Sequence, residues 1–125
     1  MSREGDLSMT EHEVRELIAT EGHLVLGTLQ GDGPPTAAVT PCEVDDGGVT
    51  FALPLDSQSA QNLRRDARAC AVIENAEHDF YRMRCATVHG SATLVAVDSE
   101  NQLAHFQLPL DDVVSFDFSR IRRRH

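Results

Sequence analysis

Residues 57–66 read Ser57-Gln58-Ser59-Ala60-Gln61-Asn62-Leu63-Arg64-Arg65-Asp66, and they lie between two apolar segments that are typical of β-strands. Asp56 or Ser57 can accept a hydrogen bond from the unpaired N–H groups of a first helical turn. The stretch therefore predicts a short capped helix between strands. A helix start presents N–H donors and a partial positive charge, so this one is also able to bind an anion.

The segment before the first strand predicts one short amphipathic helix. Thr10 followed by Glu13 forms a capping box, which satisfies backbone N–H groups at a helix start. Apolar residues at helical spacing follow, and Gly22 is a suitable C-terminal stop. The helix should pack on the rest of the chain through this narrow apolar stripe.

Three strands joined by two tight turns follow as an antiparallel meander. They are predicted over 24–29, 36–44 and 49–53. Gly31-Asp32-Gly33 and Asp45-Asp46-Gly47-Gly48 supply the turn residues. Pro41 lacks an N–H group, so we expect the second strand to be interrupted there or to lie at an edge.

The remainder of the chain predicts three more strands and another short helix. The strands are 69–73, a long strand over 82–97 that bends near Gly90, and 113–118. The helix is predicted over 98–107, between the last two strands. Six strands with short flanking helices indicate an α+β, mainly β fold, namely a six-stranded antiparallel barrel.

Length and composition indicate a single domain over residues 1–125, with residues 1–9 expected to be a flexible N-terminus. No apolar run approaches the roughly 20 residues that span a bilayer, and the first ten residues lack the pattern of a signal peptide. The net charge of −9 disfavours nucleic acid and anionic membranes as partners. We therefore expect a cytoplasmic protein with no nucleic-acid or membrane partner.

The cysteines and histidines predict no metal site. Cys42, Cys70 and Cys85 are widely spaced without a Cys-x-x-Cys motif, and the histidines show no metal-binding spacing. A disulfide framework is equally unexpected. The basic tail Arg122–Arg124 is either a solvated chain end or a segment that folds back towards an anionic ligand.

Several strings, in their order along the chain, resemble the pyridoxamine 5'-phosphate oxidase-like family of FMN-binding split β-barrels. The strings are Leu26-Gly27-Thr28-Leu29 before Gly31-Asp32-Gly33-Pro34-Pro35, then Asn62-Leu63-Arg64-Arg65-Asp66-Ala67-Arg68, then Arg84-Cys85-Ala86-Thr87-Val88-His89-Gly90-Ser91-Ala92. The resemblance covers nearly the whole chain and implies a six-stranded antiparallel split β-barrel. It also implies a homodimer, with FMN in a groove between the subunits and two-electron redox chemistry on an unknown small molecule.

The resemblance further implies that the cofactor phosphate meets the start of the 57–66 helix. The corresponding positions are Ser57, Gln58, Ser59 and Asn62, and of these Ser57 and Asn62 fit the family's motif. The resemblance names no catalytic side chain, because in such proteins the cofactor carries the reaction.

The chain departs from the family where the phosphate should bind, because Gln58 and Ser59 replace the usual Arg and Lys. The loss of two charge-assisted hydrogen bonds, worth about 1.5–3 kcal/mol each, would weaken binding by orders of magnitude. Arg82, Arg84 or the Arg122–Arg124 tail could supply the missing charge, from either subunit. Arg82 and Arg84 are therefore included among the candidate cofactor-binding residues.

Other interpretations of these residues stay open. Ser57 is equally explained as a plain helix cap, and Arg64, Arg65 and Arg68 as a solvated helix face. The same fold could bind haem or another small ligand, or form a dimeric scaffold without a cofactor. It could also be a deazaflavin-dependent reductase, although only the fold favours that alternative.

Overall fold

The structure is a computed structural model that describes residues 6–122. The α-helices of this part are α1 (Glu11–Glu21), α2 (Gln58–Arg65) and α3 (Ser119–Arg122), with a 3₁₀ helix at Phe80–Arg82. The strands are β1 (His23–Thr28), β2 (Thr36–Asp45), β3 (Gly48–Pro54), β4 (Arg68–Glu74), β5 (Arg84–Ser91), β6 (Thr93–Asp98), β7 (Leu103–Leu108) and β8 (Asp112–Asp117).

All strands of the described part belong to one antiparallel sheet, in the order β6-β7-β3-β2-β1-β4-β5-β8. Only Ala92 separates β5 from β6, yet these strands lie near opposite ends of that order. The sheet therefore curls until its ends meet at this residue. A Cβ atom added at Gly90 of β5 would lie 3.3 Å from Leu108 Cδ1 of β7, so glycine allows the two layers to approach closely there.

The predicted six strands are wrong, because the described chain has eight. The single strand expected over 82–97 is divided into β5 and β6. Its interruption falls at Ala92, whose N–H donates to the carbonyl oxygen of Ala67 at 2.8 Å. Gly90 itself stays in regular pairing opposite Ala69. The strand changes its partners at this point, as expected of a corner, but it does so two residues after the glycine.

The helix predicted over 98–107 is also wrong, and a tight turn followed by β7 takes its place. Asp98 does act as a cap, but of the turn, since its carboxylate accepts from Asn101 N at 3.1 Å and Asn101 Nδ2 at 2.7 Å. From residue 103 onward, buried and half-buried positions alternate with the period of a strand. The cap signal of aspartate is shared by helices and turns, so it misled the prediction.

The helix predicted at the N-terminal side is confirmed as α1. Thr10 Oγ1 accepts from Glu13 N at 3.2 Å, and Glu13 Oε1 accepts from Thr10 N at 2.8 Å, which completes the capping box. The helix ends at Gly22, whose φ of +70° is the left-handed conformation that glycine adopts without strain. Its buried stripe packs into a core whose largest fully buried side chains are Phe106, Leu17, Ile18, Leu24, Leu26, Ile73, Leu108, Val49, Val88 and Asn62.

The segment before α1 runs beside β8. Asp117 N donates to the carbonyl oxygen of Leu7 at 2.7 Å, and Met9 N donates to Ser115 Oγ at 2.8 Å. Arg120 of α3 forms a 2.6 Å ion pair with Glu13 Oε2 in this region. The pKa of Glu13 is lowered first by its capping hydrogen bond with the Thr10 backbone and then by this contact with Arg120. Residues 1–5, and the tail beyond residue 122, lie outside the described residues.

Candidate functional site

The start of α2 is set by Ser57, which confirms the predicted capped helix. Its hydroxyl accepts from Ala60 N at 3.2 Å and donates to the carbonyl oxygen of Pro54 at 2.7 Å. The second bond ties the cap to the end of β3, so the helix start is held at that edge of the strand. Both functions of the hydroxyl are used by the fold, as expected of a plain helix cap.

Asn62 joins α2 to the sheet through a chain of side-chain hydrogen bonds. Gln58 Nε2 donates to Asn62 Oδ1 at 2.7 Å, and Asn62 Nδ2 donates to Thr28 Oγ1 of β1 at 3.0 Å. Asn62 is fully buried and Thr28 is nearly so. The amide of Gln58 is thus directed towards its own helix, and the buried amide of Asn62 has a partner on each side.

Backbone donors remain at the helix start. Among residues 6–122, the N–H groups of Gln58 and Ser59 have no hydrogen-bond partner, whereas that of Ala60 is taken by Ser57. Unpaired N–H groups and the helix dipole favour an anion at such a position. The backbone of this site therefore suits a phosphate, while its side chains are neutral.

The arginines of α2 lie at its other end, where Arg65 and the nearby Arg68 of β4 form contacts. Arg65 Nη2 donates to the carbonyl oxygen of Leu29 at 2.9 Å. Arg68 forms a 2.7 Å ion pair with Asp66, and its hydrogen bonds lower the pKa of that carboxyl to about 2. Arg65 thus links the end of α2 to the residue after β1, and Arg68 braces the segment between α2 and β4. Neither arginine supplies a positive side chain at the helix start.

Arg82 and Arg84 are placed far from the other candidate residues of the same chain. Both flank the beginning of β5, where Asn75 holds the backbone by bonding to the carbonyl oxygen of Arg82 and the N–H of Arg84. The opposite end of β5 pairs with Arg68, beyond the last residue of α2. Eight strand residues separate these ends by roughly 25 Å. The structure thus brings Ser57, Gln58, Ser59 and Asn62 together, without the two arginines.

Two features of this region were missed from the sequence. Thr28 was assigned only to a strand, although a polar residue that ends an apolar strand signals a buried hydrogen bond. The contact of Phe80 with the rings at the end of β8 was also missed: between ring centroids, Phe80 lies 4.5 Å from Phe118, and Phe116 lies 5.7 Å from Phe118. No local sequence signal joins Phe80 to these two rings, because the 3₁₀ helix and β8 are distant along the chain.

FMN fits the start of α2 in part. The N–H groups of Gln58 and Ser59 can donate to phosphate oxygens, but a cation that would add charge-assisted bonds is absent from this end of α2 within the described chain.

Burial raises the pKa of Cys42 to about 11, so its thiol stays protonated and unreactive at neutral pH. Among residues 6–122, no group of three or more potential metal ligands is assembled. No helix of that part is long and apolar enough to cross a bilayer.

Solved structures share this fold at low sequence identity. A conserved hypothetical protein of Mycobacterium tuberculosis superposes with a TM-score of 0.82 at 20% identity, over 98% of this chain and 93% of that chain. HutZ, the haem storage protein of Vibrio cholerae, gives 0.70 at 16% identity, over 85% and 94%. An FAD-binding protein of Mesorhizobium loti gives 0.71 at 9% identity, over 86% and 93%.

No curated protein matches this sequence. A family model does match it: that of pyridoxamine 5'-phosphate oxidase, over residues 10–123. This match spans nearly all of the described residues and agrees with the curled antiparallel sheet. The chain therefore belongs to the pyridoxamine 5'-phosphate oxidase family.

Proposed function

We propose that this protein is a flavin-binding oxidoreductase that uses FMN to oxidise or reduce a small molecule. The observation that supports the proposal most directly is the pair of unpaired N–H groups at the start of α2, in a chain of this family. Similar folds occur in a protein described as FAD-binding and in one described as a haem storage protein. A ring-shaped or nucleotide-like cofactor is thus compatible with the fold.

In this proposal the residues of α2 hold and orient the cofactor. The N–H groups of Gln58 and Ser59 donate to the phosphate, Ser57 keeps the helix start in place, and Asn62 fixes the helix to β1 through Thr28. FMN, when bound, supplies two-electron redox chemistry. The protein itself contributes binding, orientation and exclusion of water, so no acid–base pair is required of its side chains.

We expect FMN binding to be loose, because neutral donors bind a phosphate more weakly than Arg and Lys do. Restoring the family residues with Gln58→Arg and Ser59→Lys should tighten FMN about a hundred-fold or more, at about 1.5–3 kcal/mol for each of two charge-assisted bonds. Titration followed by flavin fluorescence measures the change. Since Ser59 is only 4% exposed, Gln58→Arg alone is tested in parallel.

The matched control adds the same two charges on the exposed face of α1, with Ala19→Arg and Thr20→Lys. This control should leave the FMN affinity unchanged, since it lies outside the site and tests only the general effect of charge. An unchanged affinity in the Gln58→Arg variant, with its fold intact by circular dichroism, would show that the phosphate site has been misassigned.

A second candidate function is the binding of haem or another small ligand without catalysis. It is favoured by the side-chain hydrogen bonds from Gln58 to Asn62 and from Asn62 to Thr28, which stabilise the helix without any ligand. An apolar cavity of about 260 Å³ is also available, lined by Gly27, Thr28, Leu29, Pro35, Arg68, Ala69 and Cys70. The absorption spectrum of the purified protein separates the candidates: flavin or deazaflavin absorbs in the blue or near ultraviolet, haem gives a Soret band, and an empty protein is colourless.

We also propose that the protein is a cytoplasmic homodimer. Val114 and Phe116 of β8 are 48% and 40% exposed, and Phe116 stacks on Phe118 along the same side of the strand. Large apolar side chains exposed together favour association. Three free cysteines suit a reducing compartment. Light scattering at micromolar concentration should give the mass of two chains, and the mass of one chain would argue against the dimer.

A further inference from the structure

The apolar cavity of about 260 Å³ lies over Gly27 of β1. The residues on either side of Gly27 are buried, so Gly27 belongs to the face of β1 that is turned away from the core. Cys70 of β4 pairs with Gly27 and therefore lies on the same face of the sheet. Side chains that complete the lining are those of Leu29, Pro35 and Arg68.

Among residues 6–122, no feature of the backbone or of the packing requires glycine at position 27. Gly27 pairs regularly with Ala37 on one side and with Cys70 on the other, and its φ is not positive. An added Cβ atom would lie 3.6 Å from the carbonyl oxygen of Cys70 and 3.8 Å from its Cβ, which are ordinary contacts. Glycine within a strand is destabilising relative to alanine, and it often marks a place where a ligand approaches the backbone closely. The open space over Gly27 therefore indicates a ligand.

The turn that forms one wall of the cavity is held in place without a ligand. Arg65 Nη2 donates to the carbonyl oxygen of Leu29 at 2.9 Å. Within the same turn, Thr36 Oγ1 donates to Gln30 Oε1 at 2.8 Å, on the far side of Pro35. The wall is thus preformed, so that a ligand does not have to order it on binding.

Arg68 adds a positive charge to the lining. Its partner Asp66, which does not line the cavity, accepts from Arg68 Nε at 3.1 Å and from Nη2 at 2.7 Å. The Nη1 group of Arg68 donates to no other residue of the described part, so it can donate to a carboxylate of a ligand. The planar guanidinium can also stack on an aromatic ring. A positive charge beside an apolar surface is complementary to a ring that carries a carboxylate.

The volume of the cavity limits the size of the ligand. A cavity of about 150 Å³ is sufficient for benzene, and sites for drug-sized ligands begin at about 300 Å³. About 260 Å³ therefore suits one or two aromatic rings. The thiol of Cys70 adds no charge to the lining at neutral pH, because burial raises its pKa.

We propose that this cavity is a binding site for a small aromatic carboxylate, whose ring lies over Gly27 and whose carboxylate bonds to Arg68. The inference goes beyond the proposed function, because it holds whether or not FMN binds at the start of α2. Arg68 follows the opposite end of that helix, which has eight residues and is about 12 Å long.

Isothermal titration calorimetry with 2-naphthoate tests the position of the ring. Gly27→Val fills the space over β1 and should lower the affinity about ten-fold or more, since valine leaves no room for the ring while it suits a strand. The matched control Val25→Ile enlarges a side chain on the same face that does not line the cavity, so it should leave the affinity unchanged. Circular dichroism verifies each fold, and Gly27→Ala replaces the valine variant if that variant unfolds.

A charge-removing variant tests the contact with the carboxylate. Arg68→Gln should weaken 2-naphthoate about ten-fold or more, but it should not weaken the uncharged analogue 2-naphthalenemethanol to the same extent. The control Arg64→Gln removes the same charge from an exposed position of α2 that does not line the cavity, and both affinities should stay unchanged.

The thiol of Cys70 reports where the ligand binds. Saturating 2-naphthoate should slow the modification of Cys70 by iodoacetamide in the parent protein, measured by peptide mass spectrometry, and should have no such effect in Gly27→Val. Cys85, which does not line the cavity, is the internal control, and its rate should stay constant.

The site is overturned if the parent does not bind 2-naphthoate, or if Gly27→Val binds it as tightly as the parent does. Equal losses of both ligands in Arg68→Gln would overturn the contact with the carboxylate. Competition between FMN and 2-naphthoate would make the cavity part of the cofactor site and overturn a separate one. Protection of Cys70 that depends on protein concentration and not on 2-naphthoate would assign the space to a second copy instead. If 2-naphthoate binds as expected and FMN does not bind, the proposed function fails and this site stands.

Discussion

Replacement of Gly48 by alanine should be among the most damaging single changes in this chain. Gly48 has a φ of +128°, and an added Cβ atom would collide with the carbonyl oxygen of Leu108 and lie 2.8 Å from Pro109 Cα. Backbone strain of about 1–3 kcal/mol adds to a similar cost of overpacking. We expect the free energy of unfolding in urea to fall by about 4 kcal/mol in Gly48→Ala.

Gly33→Ala is the matched control, because it changes the same residue type in another turn. The φ of Gly33 is not positive, and its added Cβ would make ordinary contacts at 3.5 Å or more. Its stability should stay within about 0.5 kcal/mol of the parent. If the two variants unfold at the same urea concentration, the turn before β3 does not have the conformation described here.

Substitution of Asn62 by leucine should have the second largest effect. The fully buried amide bonds to Gln58 and Thr28, so Asn62→Leu leaves the buried hydroxyl of Thr28 without its partner. An unsatisfied buried group costs about 1–3 kcal/mol, and the lost hydrogen bonds add to that. We expect the free energy of unfolding to fall by about 3 kcal/mol, measured by urea unfolding.

A double-mutant cycle distinguishes this hydrogen bond from a general effect on packing. Thr28→Val combined with Asn62→Leu removes both polar partners, so the pair should cost less than the sum of the single changes. Gln61→Ala, exposed on the same helix, should change stability by less than about 1 kcal/mol. Strictly additive losses would contradict a direct bond between Asn62 and Thr28.

Much of the architecture was predictable because local signals and the fold agree. The Thr10–Glu13 capping box, the cap at Ser57 and the turn glycines are read within a few residues, and each lies where it was expected. The bend expected near Gly90 lies within two residues of the division at Ala92, but the sequence did not predict that the strand is divided there, because apolar alternation continues through it. It results from pairing with β4 on one side and β7 on the other, which a single sequence does not reveal.

The candidate site was likewise predictable from the sequence only in part. Ser57, Gln58, Ser59 and Asn62 lie within six residues of one helix, so a motif is sufficient to place them together. The hydroxyl that Asn62 reaches comes from a strand thirty-four positions earlier. Long-range partners of buried polar groups depend on register and curvature, which a local pattern does not encode.

The order of strands also has a kinetic consequence. β3 pairs with β7, so Val49 and Leu108, which are far apart in the sequence, must come together before the sheet can close. Barrels dominated by such distant pairings fold on the order of milliseconds to seconds, far more slowly than helical proteins. During that interval the apolar edge of β6 is available to neighbouring chains, and so the yield of refolding should rise as the protein is diluted.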